Sequence, residues 1–488
     1  MPEPRQGGLR RLRRRSASAN TGQPPTLPAL RNAKIAVLPV AYAARKAGGL
    51  GRRAAGQSKA RVDFDIQART AQHMFEVLGE LKGCAAKFGQ LLALYELALP
   101  PELGAPYREA LSRLQDSAPA MLPAAVHQAM AAQLGPQWRT LFAAFDSRAT
   151  AAASVGQVHR ATWHDGRRVA VKLMYPGARE SVRSDLAQIR RMAPLAAIFM
   201  PGADVQAVTD ALIACIDDEL DYAKEAAAQQ IFAAAFAGDP DFVVPRVVHQ
   251  QGDVVISEWL DGIPLTRVIA SGAQQERDRV GVLLLRFVMN SFTRTGLLYT
   301  DTHPGNFRVL RDGRLGVVDY GACSPFPAHF PHLFGELADA ELNGTPADLK
   351  AALRRNGFLG IERDFDIHAF KTMIEPISAL IFPRTVHLTT SWLRSQVLRA
   401  TEMRLSNVVR QLTTPAEYTP IGRTMLTTTG VLCQLGVQGA LRDEVFAQCP
   451  ELAAVLERFN LGEGPARDAS TSATVAPRLV SVPCTSRW

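Results

Sequence analysis

Three polar residues past the middle of the chain constrain its architecture most. In "LYTDTHPGNFRVL", Asp301 and Asn306 stand five positions apart, and Asp319 follows at the end of the apolar run "LGVV". An aspartate, an asparagine at D-x-x-x-x-N spacing and a second aspartate at a strand end suit Mg2+-assisted phosphate chemistry. Metal ions bridging phosphates need a carboxylate and a carboxamide close together, with a further acid near the attacking oxygen. Any one of these residues is an ordinary turn former. All three in order, behind a lysine-bearing strand, form a far more restrictive pattern. His303, followed by Pro304 and Gly305, reads as scaffolding for the loop.

That strand is "RRVAVKLMYPG". Alternation puts Val169, Val171 and Leu173 on one face and Ala170, Lys172 and Met174 on the other. A lysine among apolar strand residues needs a carboxylate partner unless it snorkels to solvent. Upstream, "TAAASVGQVHRA" occupies the place of a phosphate-covering hairpin, with Ala152, Ala153, Ser154 and Gly156 as small residues able to approach phosphate oxygens. Alanine makes such a hairpin stiffer than glycine does. In "DDELDYAKEAAAQQIF" the pattern predicts a helix with Asp218, Tyr222 and Glu225 on one face and Glu219 on another. Either glutamate could serve Lys172. "VVISEWLDGIPL" reads as a strand and hinge, where backbone groups near Glu258 and Leu260 would meet adenine.

Around these motifs the chain of 488 residues divides into five segments. Residues 1–64 are a basic arm, 65–140 a helical extension, 141–262 a small mixed α/β lobe, 263–462 a largely helical lobe and 463–488 a Ser/Thr/Pro-rich tail. Apolar residues from Met74 to Tyr95 recur at helical spacing, and shorter helices are expected over 106–114 and 122–134. The net charge of +9 is misleading, because residues 1–61 carry about +13 and the remainder about −4. A nucleic-acid-binding body is therefore excluded. Cys84, Cys215, Cys323, Cys433, Cys449 and Cys484 lack metal-ligand spacing and read as small buried residues in a reducing compartment. No apolar run approaches the ~18 residues of a membrane span; "MLTTTGVLCQLGVQGAL" is interrupted by Thr, Gln and Gly.

Taken in order, K-x-G-Q at Lys87–Gln90, "AAASVGQVHRA", "VAVK", "ELDY..EA", "SEWLDGIPL", "HPGN" and "VDYGA" resemble the AarF/UbiB family of atypical protein-kinase-like proteins. The resemblance runs from about residue 65 to 330 and fades toward 450. It implies an α+β, bilobal kinase-like fold with an N-terminal helical extension over the active site. It also implies ATP and Mg2+ as cofactors. Lys172 would contact phosphates, with Glu225 as its partner; Asp319 and Asn306 would hold metal; Asp301 would sit at the catalytic-base position. The K-x-G-Q residues Lys87, Gly89 and Gln90 would close over the site, with Lys87 meeting Glu219 or Asp221. The family's usual proline after the aspartate is Thr302 here, which removes a fixed φ, and Tyr320 stands for the usual Phe.

The implied function is an ATPase or unorthodox kinase supporting prenylquinone or isoprenoid-lipid metabolism. A small-molecule phosphotransferase and a non-catalytic lipid-binding scaffold are the alternatives; the K-x-G-Q helix counts against the first, and intact Lys172, Asn306 and Asp319 against the second. Expected partners are ATP, a prenyl lipid or membrane surface reached peripherally, a second copy of the chain, and quinone-biosynthesis proteins. The expected location is cytoplasmic or peripheral to a membrane, with the Arg-rich start leaving organellar targeting open.

Overall fold

The computed structural model describes residues 120–153, 155–196, 216–217, 219–359, 365–400, 411–413 and 415–461, with a few positions outside these ranges. The K-x-G-Q segment, the helices expected over 69–99 and 106–114, most of the basic arm and the tail lie outside the described residues.

Helix α1 (Pro123–Leu134) starts on a proline, whose fixed φ and missing N–H suit a first turn, and stops before Gly135 at φ 89°. It buries Val126, Ala129 and Met130 against a five-stranded antiparallel sheet. That sheet contains β1 (Phe142–Ala153), β2 (Gly156–Trp163) and β3 (Arg168–Met174). β1 departs from the sequence expectation. "FAAFDSRATAAA" is alanine-rich and shows no clean strand signal, yet long pairing with β2, interrupted by register shifts, holds it extended. The alternation in β3 is as read: Val169, Val171 and Leu173 are fully buried, each stabilising the lobe by roughly 1.5–3 kcal/mol. Lys172 and Ala170 lie on the opposite face, toward the interlobe cleft.

After α2 (Ala178–Ala196), α3 (Tyr222–Ala235) begins later than the sequence suggests. Asp221 is its N-cap, and its carboxylate accepts from the N–H groups of Ala223 and Lys224. Glu219 and Leu220 lie in a turn ahead of it. Tyr222 and Glu225 therefore lie on a helix that Glu219 does not join, and Asp218, the third member of the expected face, is outside the described residues. An aspartate that caps better than it continues a helix overrides the local propensity.

"VVPRVVHQ" divides at Pro245 into β4 (Phe242–Val243) and β5 (Val247–Gln251), which join different sheets. β6 (Val254–Glu258) sits between β3 and β5, giving the order β1-β2-β3-β6-β5. The chain then crosses to β7 (Gly262–Pro264), α4 (Leu265–Ser271) and α5 (Gln274–Thr295), which ends at Gly296 in the left-handed region. β8 (Leu297–Tyr299), β9 (Phe307–Leu310), β10 (Leu315–Val317) and β11 (Cys323–Pro325) carry the loops of interest. β4-β10-β9-β7 form one small sheet and β8 pairs with β11.

Beneath these loops lies an aromatic core. Phe232 packs 5.1 Å from Tyr320, and Phe287 meets Tyr299 edge-on at 5.3 Å, with Phe242 and Phe307 beside them. Because Phe232 belongs to α3, this core fixes the helix against the loops that carry Asp301, Asn306 and Asp319. The remaining chain is α6 (Phe330–Leu342), α7 (Pro346–Arg355), α8 (Ile367–Ile381), α9 (Thr390–Ala400), α10 (Thr419–Leu435), α11 (Leu441–Gln448) and α12 (Pro450–Leu461). A two-residue bridge between 386–387 and 438–439 is a small departure from the all-helical expectation. "MLTTTGVLCQLGVQGAL" supplies the C-terminal half of α10, which stops at Gly436. Among the described residues no helix is long and apolar enough to cross a membrane. Cys323, Cys433 and Cys449 are buried free thiols.

Candidate active site

The two lobes enclose a cleft of about 680 Å³, ample for a nucleotide. At its inner end, Lys172 donates to both oxygens of Glu225, at 2.7 and 2.9 Å, and to Asp319 Oδ2 at 2.9 Å. Residues far apart in sequence thus meet because β3 lies under the first turn of α3 and the β10 exit points back at both. Of the two glutamates left open by the sequence, the structure pairs Lys172 with Glu225. Glu219 instead borders a small recess shared with Asp301, Asp319 and Gly321. Asp221, expected to face Lys87, caps α3.

Electrostatics follow from burial and this pairing. Burial works against the Lys172 ammonium, but Asp319 and Glu225 overcome it and hold its pKa well above the ordinary lysine range. Burial pushes Glu225 up to about 7 despite Lys172. Burial also acts on Asp319, yet Lys172 dominates there and keeps its carboxyl below the usual range. The pairing thus favours the cationic form of Lys172 and the anionic form of Asp319, while burial shifts Glu225 toward neutral pH.

Asp319 is aimed by its backbone. Tyr299 Oη donates to the Asp319 carbonyl at 2.9 Å, and Asp319 Oδ1 accepts from the Gly321 N–H at 3.0 Å. Tyr320 is buried, with its hydroxyl donating to the Val317 carbonyl, so the change from Phe is accommodated by a hydrogen bond. In the preceding loop, Pro304–Asn306 makes a single 3-10 turn. His303 Nδ1 accepts from the Gly305 N–H, and a Cβ at 305 would lie 2.9 Å from that nitrogen. His303 thus holds the loop, and Gly305 gives it room. Asn306 Nδ2 donates to the Asp301 carbonyl at 3.2 Å, leaving its carboxamide oxygen as the atom suited to a metal.

Thr302 is anchored where proline would only be stiff. It is fully buried, and its hydroxyl donates to Thr427 Oγ1 on α10 at 3.1 Å. Arg423, one turn earlier on α10, donates to Thr300 Oγ1 at 3.0 Å. The loosening expected from losing proline is met by a tether to a distant helix, a pairing that no local pattern reveals.

The outer end of the cleft, next to the hinge, is bordered by Glu258, Trp259, Leu260, Asp261 and Gly262, and Ala152, Ala153, Val158, Ala170 and Val318 supply small or apolar lining elsewhere in the cleft. Ser154 lies outside the described residues. Gly156, expected to approach phosphate, is instead buried on β2; a Cβ there would lie 2.3 Å from the Leu173 carbonyl oxygen. Its glycine serves strand packing. Glu258 and Leu260 both line the cleft. The Glu258 and Trp259 N–H groups are spent on the Arg246 and Arg168 carbonyls, whereas the Leu260 N–H has no partner among the described residues. Sequence reasoning missed Arg308, which also lines the cleft. The signal was there in "FRVL": Phe307 and Val309 point into the core, so Arg308 must point the other way.

Among the described residues no three His, Cys, Asp or Glu side chains are grouped to hold a metal unaided. That fits Mg2+, which is usually held by one or two protein oxygens together with substrate phosphates. The ionised Asp319 and the Asn306 carboxamide are hard oxygen donors suited to it.

A two-lobed fold with a paired lysine, a metal-type aspartate and a D-x-x-x-x-N loop in one cleft defines a kinase-like protein. Residues 113–344 match the ABC1 atypical kinase-like domain. The atypical kinase COQ8 of Saccharomyces cerevisiae, a mitochondrial protein, is 32% identical over 51% of this chain and 50% of its own. Mitochondrial COQ8B of Danio rerio is 26% identical over 63% of this chain and 48% of its own. A solved structure, the Rv3197–erythromycin complex from Mycobacterium tuberculosis, is 37% identical, covers 81% of this chain and all of its own, and superposes with a TM-score of 0.59. The chain belongs to the ABC1, or AarF/UbiB, family of atypical kinase-like proteins. It spans about half the length of the curated relatives it matches.

Proposed function

We propose that this protein binds Mg·ATP in the interlobe cleft and uses it as an ATPase or unorthodox kinase in prenylquinone or isoprenoid-lipid metabolism. The observation that carries the chemistry is the convergence of Glu225 and Asp319 on Lys172, with oxygens of both carboxylates within 2.9 Å of Lys172 Nζ. The lipid assignment rests on the relatives named atypical kinase COQ8.

In this reading Lys172, held protonated and oriented by Glu225, binds the nucleotide's phosphates. Asp319 and Asn306 hold Mg2+, which supplies charge neutralisation on the phosphates when bound. Asp301, with Oδ1 3.4 Å from the His303 N–H, accepts the proton of the attacking hydroxyl or water. Ala152 and Ala153 cover the phosphates with a stiffer backbone than glycine would, which favours retention of nucleotide over rapid turnover. Lys87, Gly89 and Gln90 would act as a cover, with Lys87 directed to Glu219, so that Lys87→Ala alters nucleotide affinity without unfolding the domain. Membrane contact would be peripheral, through the basic arm, and a second copy of the chain or quinone-biosynthesis proteins would be partners.

The test is phosphate release from Mg·ATP by purified full-length protein, with and without co-purified lipid. Asp319→Asn hydrolysing ATP as fast as wild type would sink the site assignment. Rapid phosphate transfer to a soluble metabolite would favour a small-molecule phosphotransferase instead.

A further inference from the structure

Arg308 stands apart from the other charged residues of the cleft. It sits on β9, opposite Pro264 of β7 and Gly316 of β10, on the cleft side of that sheet. Its stem has room because residue 262 is glycine: a Cβ there would lie 2.9 Å from the Arg308 Cβ. The acids nearest in the hinge are already committed. Asp261 pairs with Arg168 and accepts from Trp259 Nε1, and Glu258 Oε2 accepts from the Arg246 N–H. Among the described residues Arg308 has no carboxylate or hydrogen-bond partner, and it is half-buried. Burial, unopposed by any anion, lowers its pKa from the usual arginine value. Leaving a guanidinium in that state costs stability unless a ligand repays it.

The position says what that ligand group is. Arg308 lies beside the hinge, since a Cβ on Gly262 would crowd its own Cβ, and it lines the cleft with Val318 from the same lobe and with Val158 and Ala170 from the other. The phosphate-binding charges lie at the other end, on Lys172 and Asp319. A planar cation facing an apolar roof beside a hinge is matched by a flat, electron-rich ring, which gains dispersion from the roof and cation–π attraction from the floor.

The geometry points to Arg308 as a base-selecting residue, a guanidinium floor that stacks under a purine and favours it over a pyrimidine. The larger two-ring face covers the guanidinium plane more fully, so the preference grows with ring area. This inference rests on the nucleotide reading proposed above and goes beyond it by naming what discriminates among bases.

Isothermal titration of the full chain with Mg·ADP and Mg·UDP tests it. Arg308→Met keeps stem length and apolar cover while removing the charged plane; Arg308→Lys keeps the charge without the plane. A cation–π contact predicts Mg·ADP binding roughly 5- to 20-fold weaker in Arg308→Met, with Arg308→Lys between, and Mg·UDP changed less than about twofold. The ligand-free melting temperature should rise in Arg308→Met, since an unpaired half-buried charge is gone, which a merely structural arginine would not show. Mg·ADP binding within twofold of wild type in Arg308→Met overturns the inference, as does equal weakening of ADP and UDP, which would mark a general charge effect. If wild type binds no nucleotide at all, the parent reading fails first.

Discussion

The two ends of the cleft are built on opposite principles. At the inner end side chains hold one another in place: Lys172 lies between Glu225 and Asp319, Tyr299 and Gly321 fix Asp319, and the Asp301 carbonyl holds Asn306. At the outer end hinge residues Glu258 to Gly262 border the cleft, and Arg308 has no ion-pair or hydrogen-bond partner among the described residues. Phosphate chemistry needs groups held still before substrate arrives, because reorganisation at the moment of reaction is costly. Base recognition tolerates a softer site, where the ligand itself completes the packing.

If that contrast holds, mutations at the inner end should cost far more activity than mutations at the outer end. Asp319→Asn should reduce Mg·ATP hydrolysis by about 100-fold or more, because it removes the carboxylate proposed to bind metal and the second partner of Lys172. Arg308→Met should cost no more than roughly 20-fold in nucleotide affinity. Parallel measurement of both variants reverses the argument if the outer-end change is the larger.

The inner end should also be the pH-sensitive one. Glu225 is pushed from 4.5 in the unfolded chain to about 7 in the fold. Between those values the native state binds more protons than the unfolded state, so this group's contribution to stability falls as pH rises from about 4.5 to about 7 and is level above. The decline should be on the order of 1–3 kcal/mol, partly offset by the opposite shift of Asp319 at lower pH. Urea midpoints at pH 5 and pH 8 should show it in wild type, and Glu225→Gln should flatten it. An equal slope in the variant would place the titration elsewhere.

What was legible from sequence divides along the same line. The inner-end pattern was readable because D-x-x-x-x-N spacing followed by a strand-end aspartate restricts both residue type and position, as in Asp301, Asn306 and Asp319. Lys172 was readable because β3 alternates cleanly. The outer end and its supports were not. β1 is alanine-rich and is held extended by its long pairing with β2, a tertiary contact. Gly156 looked like a phosphate glycine, but the Leu173 carbonyl behind it is a tertiary neighbour no spacing reveals. Gly156→Ala accordingly tests packing. It should lower stability by roughly 2 kcal/mol through backbone displacement, with nucleotide affinity in the folded fraction little changed. A stable variant that had lost nucleotide binding would restore the phosphate role.

The smallest expected effect comes from Thr302, and it separates anchoring from stiffness. Proline at this position would restrict the loop through its own φ; threonine restricts it through a hydroxyl given to Thr427, on a helix 125 positions away in sequence. Thr302→Val keeps shape and burial but leaves Thr427 without that donor, a loss of about 1 kcal/mol. Because Asp301 is the adjacent residue, part of that loss should appear as a roughly twofold fall in hydrolysis at saturating Mg·ATP, with nucleotide affinity unchanged. Thr302→Pro removes the hydroxyl too but fixes φ, and should recover the rate without recovering stability. If valine and proline behave alike in rate, the tether to α10 does not position the loop, and the inner end owes its rigidity to the Lys172 cluster and the His303 turn alone.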